Sequence, residues 1–320
     1  MFKGNLIMKK NLKRFSLIIF ILAVLLGAGL VSAGFYFYNV SVVPSHKGFI
    51  NNHQADEMNG QQWFKQVHAQ KWRQTSATRD LKLDANYVPA ERPTRKTIVI
   101  AHGYMGDKNT MWSYAKLFHN LGYNVLVPDD RGQGQSQGHY IGYGWPDRLD
   151  YIKWINKVIR HNGQQSKIVM FGVSMGGATT MMVSGQSNVP PQVKGYIEDC
   201  GYDSVNSELH YEAGQLYHMP SILQNSLIPI VSQITQLKDG YNFVQASALN
   251  QVKKNHRPML FIHGGNDQFV PTRMVYKLYR ADRGPKQLLV VKGAPHASSY
   301  HTDPQLYRRT IVNFLKQYFK

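Results

Sequence analysis

From residue 97 onward, short apolar runs alternate with segments of helical period. Residues 97–101 (TIVIA), 124–128 (NVLVP), 167–172 (KIVMFG), 194–198 (KGYIE), 259–263 (MLFIH) and 287–291 (QLLVV) are almost continuously apolar. A strand with one face in water would alternate in polarity, so these runs predict strands covered on both faces. Residues 110–121, 146–161, 174–184, 272–280 and 304–318 instead return an apolar side chain every three or four positions, the period of a helix packed along one side. Asp303 and Pro304 supply a cap and a first-turn proline for the last of them. The alternation predicts an α/β architecture, a mainly parallel sheet with helices on both faces. Two earlier runs, 72–75 and 81–87, read as an opening antiparallel pair and bring the sheet to eight strands.

Two segments break the rhythm. Residues 202–251 contain no clear strand, yet they carry Leu216, Ile222, Leu227, Ile230 and Ile234. This is too long for a plain connection, and it reads either as extra core helices or as a lid whose apolar face covers a site. At the N-terminus, residues 17–38 are apolar or small apart from Ser32. As a helix these residues cover about 33 Å, one hydrocarbon core. Lys3, Lys9, Lys10, Lys13 and Arg14 precede that stretch and should stay in the cytoplasm, which puts the rest of the chain outside. The aromatic run Phe35, Tyr36, Phe37, Tyr38 suits the outer interface. Val31-Ser32-Ala33 also fits a signal-peptide cleavage site, so secretion after a cut near Ala33 is the alternative. The expected division is 1–45 as basic tail and membrane anchor and 46–320 as the folded domain. Within the latter, 46–70 forms a polar stalk running into a first helix.

Composition narrows the classes. With 43% hydrophobic and 18% charged residues in 320, the chain is neither disordered nor a multi-span membrane protein. Its one cysteine, Cys200, excludes an intrachain disulfide and a cysteine-rich metal cluster. The 13 histidines show no HExxH, and no glycine run carries the lysine of a phosphate loop. No metal and no cofactor are expected. The formal charge of +18 falls to +13 once the five N-terminal positives are set aside. That excess raises an anionic cell-surface polymer as an accessory partner. The positives are dispersed and the chain is expected outside the cell, which argues against nucleic acid.

The candidate chemistry lies at the ends of the apolar runs. Gly172-Val173-Ser174-Met175-Gly176-Gly177 follows one strand and opens a helix, the setting of a nucleophile elbow. Small residues are needed at Gly172 and Gly176 because the turn is so sharp. The bland reading makes Ser174 a helix N-cap. A serine hydroxyl needs a base in hydrogen-bond reach, and the base an orienting acid. Asp267, in the turn HGGNDQFVP, is the expected acid, and His296, in GAPHA, the expected base. Asp199, at the end of 194–198, is the rival acid. A developing oxyanion also needs backbone donors. The loop AHGYMG after the first buried strand suggests the amides of Tyr104 and Met175, with His102 as a buttress of that loop.

HGYMG, PDDRGQGQSQG, GVSMGG, HGGNDQFVP and PHA, in this order over about residues 60–320, resemble the α/β-hydrolase superfamily. The likeness is to bacterial membrane-anchored or secreted serine hydrolases of the serine aminopeptidase and lipase-like branch. It implies Ser174, Asp267 and His296 as nucleophile, acid and base, Tyr104 and Met175 as oxyanion donors, and Arg131 as a support of the site. Pro295 stands where relatives often have glycine, which stiffens the loop before His296. The resemblance specifies fold and nucleophile but not substrate. The expectation is an extracytoplasmic serine esterase acting on a small or lipid-like ester through an acyl-enzyme. The alternatives are a peptidase or amidase on the same triad, or a noncatalytic cell-surface binding module.

Overall fold

The computed structural model describes residues 2–45 and 60–319, and positions 46–59 of the expected stalk lie outside them. The described strands form one eight-stranded sheet in the order β1-β2-β4-β3-β5-β6-β7-β8. They are β1 (Gln70–Thr75), β2 (Lys82–Val88), β3 (Lys96–Ala101), β4 (Asn124–Pro128), β5 (Lys167–Val173), β6 (Val193–Asp199), β7 (Met259–Gly264) and β8 (Lys286–Val291). The β1–β2 and β2–β4 pairs are antiparallel, and every later pair is parallel. Because β3, β4, β5, β6, β7 and β8 run the same way, the loops that follow them emerge at one edge of the sheet. Every candidate residue picked out above lies on or beside such a loop.

Strands β3 to β7 are continuous in polarity for the reason expected, whereas β8, at the edge of the sheet, is only half-buried and departs from the expected cover on both faces. Along β3, Ile98 and Ile100 enter one buried cluster with Phe118 and Phe314, while Val99 and Ala101 enter the other with Ile155 and Met182. Alternate side chains leave opposite faces of a strand, and here both faces meet helices. One layer holds α2 (Trp112–Asn120) and α10 (Pro304–Tyr318), and the other holds α3 (Asp147–Asn162), α4 (Met175–Ser184) and α8 (Arg273–Ala281). Asp303 caps α10 by accepting from Leu306 N at 2.9 Å. Residues 60–64 form a helical turn just before β1, with Phe64 stacked on Trp112 at 3.8 Å between ring centres.

The 202–251 segment is helical: α5 (Val205–Tyr217), α6 (Ser221–Asp239) and the short α7 (Ala248–Val252). Tyr211 OH donates to Gln268 O at 2.9 Å, which brings α5 over the loop that carries Asp267.

The N-terminal helix α1 (Phe2–Ser41) has two distinct parts. From 11 to 29 every side chain is exposed. Gly34, Tyr38 and Val42 then become buried at four-residue spacing, one stripe of a helix turned toward the domain. A Cβ at Gly34 would lie 2.5 Å from Ile230 Cγ2, so α1 and α6 touch closely there. Tyr38 OH donates to Asp239 Oδ2 at 2.7 Å, and Ile141 N donates to Val42 O at 2.8 Å. Core packing therefore crosses the 45/46 division expected from sequence. α9 (Ser299–Thr302) completes the helices named here.

Candidate active site

β5 ends in the sharp turn its sequence requires. Ser174 has φ +57° and ψ −119°, a strained conformation for a residue with a side chain. A Cβ at Gly172 would sit 2.1 Å from Gly176 O, and a Cβ at Gly176 would sit 2.1 Å from Ala101 O. Only glycine lets strand, turn and helix approach this closely. The Ser174 side chain makes no capping bond to α4, so the N-cap reading fails.

Its hydroxyl is instead 2.9 Å from His296 Nε2, while His296 Nδ1 is 2.7 Å from Asp267 Oδ2. The structure thus brings together Ser174, His296 and Asp267, from the ends of β5, β8 and β7. Asp267 Oδ1 accepts from Phe269 N and Val270 N, both at 2.9 Å, which fixes the carboxylate in its turn. Burial alone would raise the Asp267 pKa, but contacts with His263 and His296 more than offset it and hold the carboxyl at about 2. It remains an anion across the working range. The rival Asp199 faces the other way, with Oδ2 accepting from Tyr307 OH at 2.9 Å. Burial pushes the Asp199 carboxyl up to about 6.

The 102–106 loop lies against the serine, since a Cβ at Gly103 would be 3.6 Å from Ser174 Cβ. Met175 is the first residue of α4, at its positive N-terminal end. His102 is fully buried, with Nε2 accepting from Asp130 N at 3.0 Å and Nδ1 placed 2.8 Å from Gly103 O. It ties the loop after β3 to the loop after β4. Arg131 is equally buried, bonded to Asp150, Thr78 and Tyr140. Both residues brace the edge of the sheet.

An open cavity leads away from Ser174. Tyr104 and Tyr143 line it near the serine, α5 and α6 supply Leu209, Leu227 and Ile228, and α1 supplies Phe37, Val40 and Ser41. Two carboxyls, Glu208 and Glu212, also face it, and Glu208 has no hydrogen-bond partner among the described residues. Burial raises both, Glu212 to about 7. One cluster of possible metal donors occurs among the described residues: Cys200, Asp267 and His296, with donor atoms within 4.8 Å of one another. Asp267 and His296 are already bonded to each other there, and burial pushes the Cys200 thiol well up, so it is a poor ligand.

Residues 92–201 match the family described as serine aminopeptidase, S33. The uncharacterised protein YqkD of Bacillus subtilis is 32% identical over 229 residues, 72% of this chain and 74% of that protein. The chain belongs to the α/β-hydrolase superfamily. YfhR of Escherichia coli K12, also uncharacterised, is 27% identical over 68% of the hydrolase and 69% of its own length. The esterase Pf2001 of Pyrococcus furiosus shares the fold, with a TM-score of 0.64 and 18% identity over 88% of the hydrolase and 98% of that chain. The acylaminoacyl peptidase of Pyrococcus horikoshii does so with a TM-score of 0.60 and 20% identity, over 82% of the hydrolase and 44% of that chain. Family and fold together support a serine hydrolase, esterase or peptidase.

Sequence reasoning gave no role to His263, whose Nε2 lies 2.9 Å from Val270 O and 3.3 Å from Asp267 Oδ2. The histidine thus contacts the same carboxylate oxygen, Asp267 Oδ2, as His296 does. Its position at the tip of β7, just before the glycines, was the available signal. Beneath it lies Glu198, fully buried, with Oε2 accepting from Gly201 N at 2.9 Å and Oε1 unpartnered among the described residues. Burial pushes this carboxyl up to about 8 from an ordinary 4.5. A raised folded-state pKa means that the native state holds the proton more tightly. The stabilisation is therefore complete below about pH 4.5 and is lost as pH rises to about 8. Glu198→Gln keeps the acceptor and cannot ionise. Thermal melts are expected to show the variant gaining on the parent steadily between pH 5 and 8. The gain is bounded at about 5 kcal/mol by the size of the pKa change. Parallel melting curves across that range would contradict a neutral buried Glu198.

Proposed function

We propose that the hydrolase cleaves carboxylic esters through an acyl-enzyme on Ser174. The single observation that carries this reading is the aligned set Asp267–His296–Ser174, with 2.7 and 2.9 Å between successive partners. Nδ1–H of His296 donates to the Asp267 carboxylate, which leaves Nε2 to accept the Ser174 proton as Oγ attacks the acyl carbon. The amides of Tyr104 and Met175 receive the oxyanion, helped by the N-terminal end of α4. His296 then protonates the leaving alcohol, and water repeats the two steps to release the acid. The exposed apolar stretch of α1 from 17 to 29 supports a membrane anchor. No described residue covers those side chains, and the basic cluster ahead of them favours a catalytic domain outside the cytoplasm. The packed turns of α1 begin at Gly34, one residue beyond the candidate cleavage site, so the domain would keep them whether or not the helix is cut.

A second reading, an aminopeptidase, is favoured by Glu208 and Glu212. Two underbonded carboxyls in the cavity offer acceptors for the ammonium group of a peptide N-terminus, whose charge would in turn favour their ionised forms. A panel of p-nitrophenyl esters and aminoacyl anilides separates the two readings. The ester reading expects turnover of the esters at least about a hundredfold above the anilides, a gap of ~2.7 kcal/mol in barrier. Faster turnover of the anilides would overturn it in favour of the peptidase.

A further inference from the structure

Resting on the ester reading above, we infer that the substrate is an acyl lipid resident in the bilayer. It reaches Ser174 sideways from the membrane, between the domain end of α1 and the α5–α6 hairpin. The first observation is the composition of the cavity wall. Phe37, Val40 and Ser41 belong to the same helix whose residues 11–29 stand uncovered, and they share one cavity with Ser174. The anchor is thus part of the site as well as its tether.

Depth is the second observation. A helix from 17 to 38 spans about 33 Å, so Phe37 falls at the outer edge of the hydrocarbon and Ser41 about 4–5 Å beyond it. The acyl ester group of a bilayer lipid lies at that boundary between chains and headgroups. Its carbonyl can meet the serine while its chain stays in an apolar setting.

The third observation is the surface around the mouth. Gly34 meets Ile230 and Tyr38 meets Asp239, so α6 runs in the same sense as α1. Going back from Ile230 to Ile222 covers about 12 Å of helix toward the membrane side. There Ile222 is 76% and Leu223 43% exposed, with Leu216 and Tyr217 at 48% each on the end of α5. The Tyr217 ring stands edge-on to Phe37 at 5.8 Å. This uncovered apolar tip adjoins an uncovered apolar helix, and a single lipid surface covers both. The passage is also fixed in place, because Tyr104 OH and Tyr143 OH each donate to Ser41 O at 2.7 Å. These bonds satisfy a carbonyl that the end of α1 would otherwise leave open, and they join the anchor to the loop beside Ser174.

The test uses the full-length protein in phosphatidylcholine vesicles holding a few mole per cent of monooleoylglycerol, with fatty-acid release as the readout. Release that depends on Ser174 is expected. Two variants probe the route. Val40→Trp narrows the cavity, and in detergent it should lower the ratio of p-nitrophenyl dodecanoate to butyrate turnover by about tenfold or more. Excluding two methylenes is worth that much. The double variant Ile222→Ser, Leu223→Ser alters only exposed side chains and should fold normally. It should lower the ratio of vesicle-borne to detergent-dispersed monooleoylglycerol turnover by about tenfold, as membrane contact is lost. The inference is overturned if the parent cleaves the butyrate ester but not the vesicle-borne lipid, or if both ratios stay unmoved. Failure of Ser174 to react with a fluorophosphonate would instead overturn the underlying hydrolase reading, so the two failures are distinguishable.

Discussion

Ser174→Ala is expected to lower kcat for a p-nitrophenyl ester by about 10⁴- to 10⁶-fold. The upper figure corresponds to ~8 kcal/mol of transition-state stabilisation. The loss is this large because Oγ forms the covalent bond, and the base and acid behind it have nothing to act on once it is gone. His296 would face a methyl group in place of the hydroxyl now 2.9 Å away. Little should change in stability. Ser174 makes no capping bond, and alanine keeps the Cβ, so the backbone strain at φ +57° stays as it is. Residual turnover carried by the oxyanion amides and the cavity would remain above that of water. Steady-state kinetics on the parent and the variant, with a melting curve for each, check both halves of the prediction. A folded variant with more than a tenth of the parent rate contradicts a serine nucleophile here.

Asp267→Asn is expected to cost about 10³- to 10⁴-fold in kcat, with KM nearly unchanged. Asparagine can keep its carbonyl at Oδ1, where Phe269 N and Val270 N donate. The amide NH₂ then replaces Oδ2 opposite His296 Nδ1. Two donors cannot share that line, so the imidazole proton moves to Nε2, which can no longer accept from Ser174. His263 loses its anionic neighbour at 3.3 Å in the same substitution. Asp199→Asn gives the internal control: its carboxyl faces Tyr307, and a much smaller effect on kcat is expected. A larger loss from Asp199→Asn than from Asp267→Asn would move the acid role to Asp199.

What the sequence made legible follows from how strongly each feature is constrained. A strand buried on both faces must be apolar throughout, and β3 to β7 announce themselves in that way. Ser174 was legible because the glycines at 172 and 176 are required by contacts near 2.1 Å, a demand few other turns make. Asp267 and His296 were legible because parallel strands deliver their loops to one edge. The α5–α6 hairpin was harder to read, since its apolar residues serve a cavity and a surface as well as a core. Helix α6 also continues through Pro229, which local propensity would mark as a break. The contribution of α1 was hidden altogether. In a span that is apolar on every side, the stripe Gly34, Tyr38, Val42 carries no contrast to separate protein contact from lipid contact. Glu208 and Glu212 were passed over for the opposite reason, since acids four apart on a helix ordinarily mark its solvent face.

The aligned serine, histidine and aspartate are tested most directly by reacting the full-length protein in detergent with a fluorophosphonate and reading its intact mass. The expected result is one adduct, absent in Ser174→Ala and formed far more slowly in His296→Ala. A folded protein that takes up no label, or takes up the same label in Ser174→Ala, would contradict a nucleophilic Ser174.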